Sequence, residues 1–130
     1  MLEAAAGSDV QLYVSTFYQE GGSPEFDDGI KAWLNEDSTA MTNNGGNDTI
    51  AAVTAMGYDA YYVALEAIKK ADSGDKAAIR KALPEVTYTG VSGSIAFDEV
   101  GDAVRDTAYI KTANTADGTW ALETVQTASK

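Results

Sequence analysis

The spacing of apolar residues changes near residue 86, and this change limits the folds that the chain can adopt. Between residues 23 and 83 apolar side chains recur every three or four positions, as they do in helices with one buried face. After it they alternate with polar side chains, which is typical of strands. Residues 10–18, rich in β-branched and aromatic types, form another predicted strand. The sequence therefore predicts an α/β or α+β fold with helices packed on a sheet.

Local signals place the helices. Ser23 and Pro24 suit the start of a first helix, because Ser can cap free N–H groups and Pro lacks one. Its predicted buried face consists of Phe26, Ile30, Trp33 and Leu34. A second helix follows a polar loop at residues 43–48, with Asp48 or Thr49 as its cap, and a short third helix begins after Asp75. The predicted buried face of the second helix consists of Met56, Tyr58, Tyr61, Tyr62, Leu65 and Ile68.

The strands and chain ends complete the predicted order of elements. Residues 94–97, 104–112 and 119–125 are predicted strands separated by Gly-containing turns. Residues 2–6 resemble the end of a helix, and residues 126–130 a polar tail. Residues 1–7 are too short for a secretory signal and lack its basic start, so any signal is expected upstream of this chain. The predicted strands at 10–18 and 119–125 have few partners, which favours self-association through unpaired edges.

Composition excludes several classes of function. The 130 residues include 20 acidic and 9 basic ones, a net charge of −11 that disfavours nucleic acid and anionic membranes as partners. The chain contains neither histidine nor cysteine, so it can form neither a Ser–His–Asp triad nor a Cys/His zinc site. We therefore predict no catalytic residue, no metal site, no cofactor and no enzymatic activity.

Two motifs that partly match functional sites are predicted to be ordinary turns. The segment at residues 90–94 has a serine, Ser92, between two glycines, but it ends in Ser94 where a nucleophile elbow needs glycine, and no base is present. A Gly-rich turn before a strand is the predicted structure. The acidic turn with Asp98, Glu99 and Asp102 lacks the spacing of a Ca²⁺-binding EF-hand loop, so it is predicted to be a solvated hairpin turn.

Three segments together resemble the C-terminal third of branched-chain amino acid binding proteins, a family of type I periplasmic solute-binding proteins. Residues 52–68, AVTAMGYDAYYVALEAI, resemble a family helix with a Tyr-Asp-Ala core. Residues 88–102, YTGVSGSIAFDEVGD, are similar to a family segment that ends in Asp-x-x-Gly-Asp. Residues 18–33 resemble a crossover between lobes and the helix after it. The resemblance covers nearly the whole chain.

This resemblance implies part of a two-lobed fold in which each lobe is a parallel sheet flanked by helices, with both lobes incomplete. Residues 1–18 would end the second lobe and cross the hinge, residues 19–111 would form the C-terminal part of the first lobe, and residues 112–130 would return to the second. The implied ligand-binding residues are Val53, Ala52 and Tyr58. The implied hinge residues are Thr16, Phe17, Tyr18 and Thr112.

The resemblance also implies a function without catalysis. Such a protein captures a branched-chain or related amino acid in the periplasm, or outside the cell as a lipoprotein, and delivers it to the permease of an ABC transporter. The groups that hold the charged ends of the amino acid would lie upstream of Met1, so we expect this chain alone not to bind leucine measurably. Two alternatives remain at this stage: a ligand-sensing receptor domain with the same fold, and a self-associating structural fragment that forms a homo-oligomer.

Overall fold

The computed structural model describes residue 5 and residues 7–127. The helices are α1 (Pro24–Glu36), α2 (Ser38–Asn43), α3 (Ala52–Ala71) and α4 (Lys76–Ala82), with a 3-10 turn at Leu83–Glu85. The strands are β1 (Tyr13–Thr16), β2 (Tyr88–Gly90), β3 (Gly93–Phe97), β4 (Ala103–Val104), β5 (Thr107–Asn114) and β6 (Thr119–Thr127). The helix end predicted at residues 2–6 lies outside the described residues, apart from residue 5, and so does most of the predicted polar tail.

The strands form two three-stranded sheets, in the orders β1-β5-β6 and β2-β3-β4. The prediction of a mixed helix and sheet fold is confirmed, but the expectation of parallel strands is wrong for the described ones, because every strand pair is antiparallel. Short turns join β2 to β3, β3 to β4 and β5 to β6, and a short turn permits only antiparallel neighbours. The predicted strand at residues 104–112 is broken after Val104, since β4 pairs with β3 whereas β5 pairs with β1 and β6.

Helix α1 begins where the sequence predicts, with Pro24 as its first residue. The side chain of Ser23 makes no capping hydrogen bond, in contrast to the prediction. Phe26 and Leu34 are buried as expected, but Trp33 is 54% exposed. Asp27, which is not part of the predicted apolar face, is only 7% exposed. The inner face of α1 is therefore more polar than its apolar spacing suggested.

Helix α3 buries a face that differs from the predicted one. Its buried residues recur every four positions and are Ala55, Asp59, Val63 and Ala67. Tyr58, Tyr61 and Ile68 are 39%, 62% and 42% exposed, so the predicted aromatic core face is wrong. The N-cap is Ala51 rather than Asp48 or Thr49. Small side chains on the inner face let the helix approach the rest of the molecule closely, while the larger rings remain at the surface.

Two small apolar clusters hold the helices in place. One joins the segment after β1 to α1 and α3 through Tyr18, Phe26, Ile50 and Ala55. The other joins α3 to the sheet β2-β3-β4 through Val63, Ala67, Val86 and Ile95. Asp75 caps α4 as predicted by accepting a hydrogen bond from the N–H of Ala78 at 2.9 Å. The helices therefore pack on the sheet that contains residues 94–97.

The sheet β1-β5-β6 is much less covered. All residues of β6 except Trp120 are exposed, and those of β5 are half-buried apart from exposed Asn114. Leu122 and Val125 on β6 are 45% and 47% exposed, and Tyr13 on β1 is 50% exposed. None of the helices in the described part of the chain has the length and hydrophobicity needed to cross a membrane.

Candidate functional site

An open groove of about 490 Å³ lies between the start of α1, the middle of α3 and the strand β2. It is lined by Ser23, Glu25, Phe26, Gly29, Ile30, Tyr58, Tyr88, Thr89, Gly90 and Val91. Helix α1 contributes a carboxylate and a buried ring, α3 contributes Tyr58, and β2 contributes Tyr88 and a backbone edge. The groove is therefore bounded by aromatic rings with one negative charge at its rim.

A row of aromatic rings forms the groove wall and continues behind it. The ring centroids of Phe26 and Tyr58 are 5.0 Å apart, and those of Tyr58 and Tyr62 are 4.9 Å apart. Tyr62 in turn stacks nearly parallel to Tyr88, with centroids 6.0 Å apart and an interplanar angle of 6°. Contacts of this kind stabilise aromatic pairs beyond the area that they bury. The exposed tyrosines of α3 thus support one another at the surface.

The hydroxyl groups of Tyr58 and Tyr88 favour the neutral state. The Tyr58 hydroxyl donates a hydrogen bond to the Tyr62 hydroxyl at 3.3 Å. This bond, followed by desolvation and neighbouring negative charge, raises the pKa of Tyr58 to about 12. Burial and the negative charge of Asp59 also raise the pKa of Tyr88. Both phenols therefore stay protonated across the physiological pH range.

Beneath the groove, Asp59 is fully buried and accepts hydrogen bonds from the turn between β2 and β3. Its carboxylate accepts the N–H of Val91 at 2.9 Å and the N–H of Ser92 at 2.8 Å, and it also accepts a short hydrogen bond from the Ser92 hydroxyl. Arg105 Nη1 donates to the carbonyl oxygen and to Oγ of Ser92, at 2.9 and 3.0 Å. We call Asp59, Val91, Ser92 and Arg105 the Asp59 network. It fixes the turn to α3.

This network explains two sequence features. A Cβ atom at Gly90 would overlap the carboxylate of Asp59, so the close approach of β2 to α3 requires glycine there. Ser92 is 8% exposed, and its hydroxyl is already engaged with Asp59 and Arg105. The network was missed from the sequence, although the four-residue spacing of Ala55, Asp59 and Val63 indicates one helix face.

The three predicted ligand-binding residues occupy different surroundings. Ala52 is half-buried against the apolar cluster of Tyr18 and Phe26, whereas Val53 is 69% exposed. Tyr58 lines the groove, and Ala52 and Val53 do not. Since Tyr58 follows Val53 by five residues, the two side chains lie about 140° apart around the helix. The structure therefore does not bring Val53 and Tyr58 into one cavity, and their roles in binding stay predictions.

The predicted hinge residues lie where β1 meets β5 and where the chain leaves for α1. Thr16 pairs with Tyr109, and Thr112 pairs with Tyr13. The guanidinium carbon of Arg105 lies 5.4 Å from the ring centroid of Phe17, a cation–π contact. These positions are compatible with the predicted hinge and domain boundaries, which stay predictions.

The fourth predicted hinge residue, Tyr18, is 2% exposed and makes the most specific contact of the four. Its hydroxyl donates to Asp27 Oδ1 at 2.6 Å, and Asp27 Oδ2 accepts the N–H of Gly21 at 2.7 Å. Burial, followed by the hydrogen bond to Asp27, raises the pKa of Tyr18 well above its ordinary value. The crossing segment is therefore attached to α1 through a buried phenol and a carboxylate.

Replacing Tyr18 with Phe is expected to lower the free energy of unfolding at neutral pH by about 2 kcal/mol, because Asp27 loses a buried donor. Since the folded state holds the Tyr18 proton more tightly than the unfolded chain, this contribution is present below about pH 10 and is lost as the pH rises further. The free energy of unfolding, measured with urea, should therefore fall less between pH 8 and pH 10.5 for Tyr18→Phe than for the original chain. Tyr13→Phe, at an exposed position, is the control. If the free energy of unfolding fell equally over this pH range in Tyr18→Phe and in the original chain, the stabilising role of the Tyr18–Asp27 hydrogen bond would be contradicted.

The acidic turn has the structure predicted for it. Asp98 Oδ1 accepts the N–H groups of Val100 and Asp102, at 3.0 and 2.8 Å, and thereby closes the hairpin. Within residues 5 and 7–127, no three acidic side chains come together as a possible metal site.

Comparison with solved structures connects this arrangement to known proteins. The chain superposes on a leucine-binding protein, LivK, from Thermotoga maritima with a TM-score of 0.66 and 26% sequence identity, over 97% of this chain and 33% of that one. The chain has the fold of part of a type I periplasmic binding protein. The family resemblance of the sequence is thus confirmed at the level of fold. No protein-family model matches the chain, and no curated protein matches it in sequence.

The similarity to a periplasmic binding protein also puts the open surfaces in context. This chain spans about a third of the length of LivK. A second groove of about 310 Å³, on the side of α3 that faces β3, is lined mainly by apolar side chains, with Arg105 at its edge. Its apolar lining consists of Met56, Ala60, Val63, Ala64, Leu83, Ile95, Phe97 and Ala103.

Proposed function

We propose that this chain is part of a solute-binding protein that captures a branched-chain or related amino acid outside the cytoplasm. It would deliver the amino acid to the permease of an ABC importer without catalysing a reaction. The observation that carries the proposal is the superposition on a leucine-binding protein over 97% of the chain. The absence of histidine and cysteine also argues against the commonest forms of nucleophilic catalysis.

The start of α3 is the proposed ligand-contacting part of the chain. Val53 presents an aliphatic side chain that is 69% exposed in the first turn of this helix. Ala52 is packed beside it against the cluster of Tyr18 and Phe26, which holds the turn in place. Tyr58 would contribute from the neighbouring side of the helix. Apolar contacts of this kind suit the side chain of leucine, isoleucine or valine, while other parts of a binding protein would hold the charged groups.

Division between two lobes is proposed for the same chain. Residues 19–111, which include the helices α1 to α4 and the sheet β2-β3-β4, would belong to the first lobe. Residues 1–18 and 112–130 would cross the hinge and enter the second. The poor coverage of β6 and the open apolar groove beside α3 support the proposal that further protein packs there. Self-association through the same surfaces stays a prediction.

A chimeric protein tests the proposal. We expect LivK in which the matching third is replaced by this chain to bind leucine, whereas this chain alone shows no saturable heat in calorimetry. A zwitterion needs partners for both charges, and residues 51–58 at the start of α3 contain no charged side chain. In the chimera, Val53→Asp should weaken leucine binding by more than about tenfold, because a carboxylate would replace an apolar contact.

Val100→Asp provides the matched control, since Val100 lies in the hairpin turn and is 82% exposed. Equal leucine affinity in the Val53→Asp and Val100→Asp chimeras would remove Val53 from the site. Saturable leucine binding by the isolated chain would contradict the proposal that the remaining groups lie elsewhere.

A further inference from the structure

The groove between α1, α3 and β2 has a composition suited to one kind of ligand. The geometry points to a binding site there for a small organic cation with an ammonium group, held by the rings of Tyr58 and Tyr88 and by the carboxylate of Glu25, with the buried ring of Phe26 packed against Tyr58. This inference goes beyond the transport role proposed above, because the cavity excludes Ala52 and Val53 and shares only Tyr58 with the proposed amino acid contacts.

The charged side chains around the groove favour a positively charged ligand over a negatively charged one. Of the ten residues that line it, Glu25 is the only ionisable side chain other than the two tyrosines, and none is lysine or arginine. Lys31, also on α1, is engaged with Glu20 at 3.1 Å and does not line the groove. The net charge of the whole chain is −11. An anion would meet the carboxylate of Glu25 and no lysine or arginine side chain, whereas a cation gains both the local carboxylate and the long-range field.

The aromatic rings that line the groove supply the second requirement for binding a cation, which is a surface with partial negative charge. Aromatic faces carry partial negative charge, and an ammonium group placed over one is attracted by it, more strongly when water is excluded. Phe26 and Tyr58 are adjacent, at 5.0 Å between centroids, and Tyr62 supports both Tyr58 and Tyr88 from behind. Since the phenols of Tyr58 and Tyr88 remain protonated, the site keeps the same charge from neutral to mildly alkaline pH.

The dimensions also fit a small cation. A volume of about 490 Å³ lies within the range of small-molecule sites, although this groove is open on one side. Gly29 in its lining leaves open space that a larger residue would fill. The side chains that form the wall come from separate elements held by the Asp59 network and the apolar cluster of Tyr18 and Phe26. The wall is therefore already formed before a ligand arrives.

Choline and its uncharged isostere 3,3-dimethylbutan-1-ol provide the test, because they share shape and differ in charge. In titrations of the isolated chain followed by NMR, we expect choline to shift the Tyr58 and Tyr88 ring resonances and to bind about tenfold more tightly than the isostere. Glu25→Gln, which preserves size, should weaken choline binding about fivefold at low salt. Tyr58→Leu should weaken it by a similar factor or more.

Two variants serve as matched controls. Tyr61→Leu removes a tyrosine that is 62% exposed and does not line the groove, and Glu99→Gln removes an exposed carboxylate from the distant hairpin. Both should bind choline as the original chain does. Equal affinity for choline and its isostere, no shift at 100 mM choline, or unchanged choline binding in Glu25→Gln would each overturn the inference. None of these outcomes bears on leucine binding by the chimera.

Discussion

Replacing Gly90 with Ala is expected to lower the free energy of unfolding by about 3 kcal/mol, the upper end of what overpacking usually costs. The added methyl group would overlap the carboxylate of Asp59, which is fully buried and already bonded to Val91 and Ser92. Neither partner can move freely, since Asp59 lies in the middle of α3 and Gly90 ends β2. Urea unfolding followed by circular dichroism measures the change.

Gly57→Ala makes the same chemical change without the collision. Gly57 is inside α3, and a Cβ atom built there meets nothing within 4 Å. Because alanine favours helix over glycine, this variant should be about 0.5–1 kcal/mol more stable than the original chain. If Gly90→Ala and Gly57→Ala changed stability in the same direction, the close contact between β2 and α3 would be wrong.

Replacing Asp59 with Ala is expected to have the largest effect, lowering the free energy of unfolding by about 3–5 kcal/mol. The change removes the acceptor for the backbone N–H groups of Val91 and Ser92 and for the Ser92 hydroxyl, to which Arg105 also donates. Buried donors without acceptors lose their hydrogen bonds to water on folding and regain nothing. Asp28→Ala, at an exposed position on the neighbouring helix α1, should change stability by less than about 0.5 kcal/mol.

A double-mutant cycle separates this effect from a general weakening. With the Asp59 carboxylate absent, the methyl group of Gly90→Ala has space, so its additional cost should fall below about 1 kcal/mol. Additive effects of Asp59→Ala and Gly90→Ala would mean that the two positions act independently, in conflict with the geometry described here. The cycle therefore tests the contact itself rather than either residue.

Sequence patterns predicted the elements of the fold better than their packing. The helix start at Pro24, the Asp75 cap and the strand that includes Ile95 were all predicted from local chemistry and are present. The assembly of strands was not, because β1 finds its partner β5 more than 90 positions further along the chain. Spacing within a segment contains no information about such distant pairing.

The candidate site shows a second limit of prediction from sequence, which concerns the buried face of a helix. Apolar spacing predicts that Tyr58 and Tyr61 belong to the buried face of α3, and it gives no role to Asp59 between them. In the structure the small residues Ala55 and Ala67 face inward, and the carboxylate of Asp59 satisfies a turn that has no other acceptor. Predicting this would require knowing that Gly90 approaches the helix, which only the tertiary structure reveals.

The pairing of β1 with β5 has a consequence during biosynthesis. A ribosome that adds about 5–20 residues per second needs roughly 5–20 s to make the chain between these strands. During that interval α1, α3 and the β2–β3 hairpin can already assemble, while Tyr13–Thr16 still lack β5. Strand β1 therefore acquires this partner only after the segment between the two strands has had time to fold.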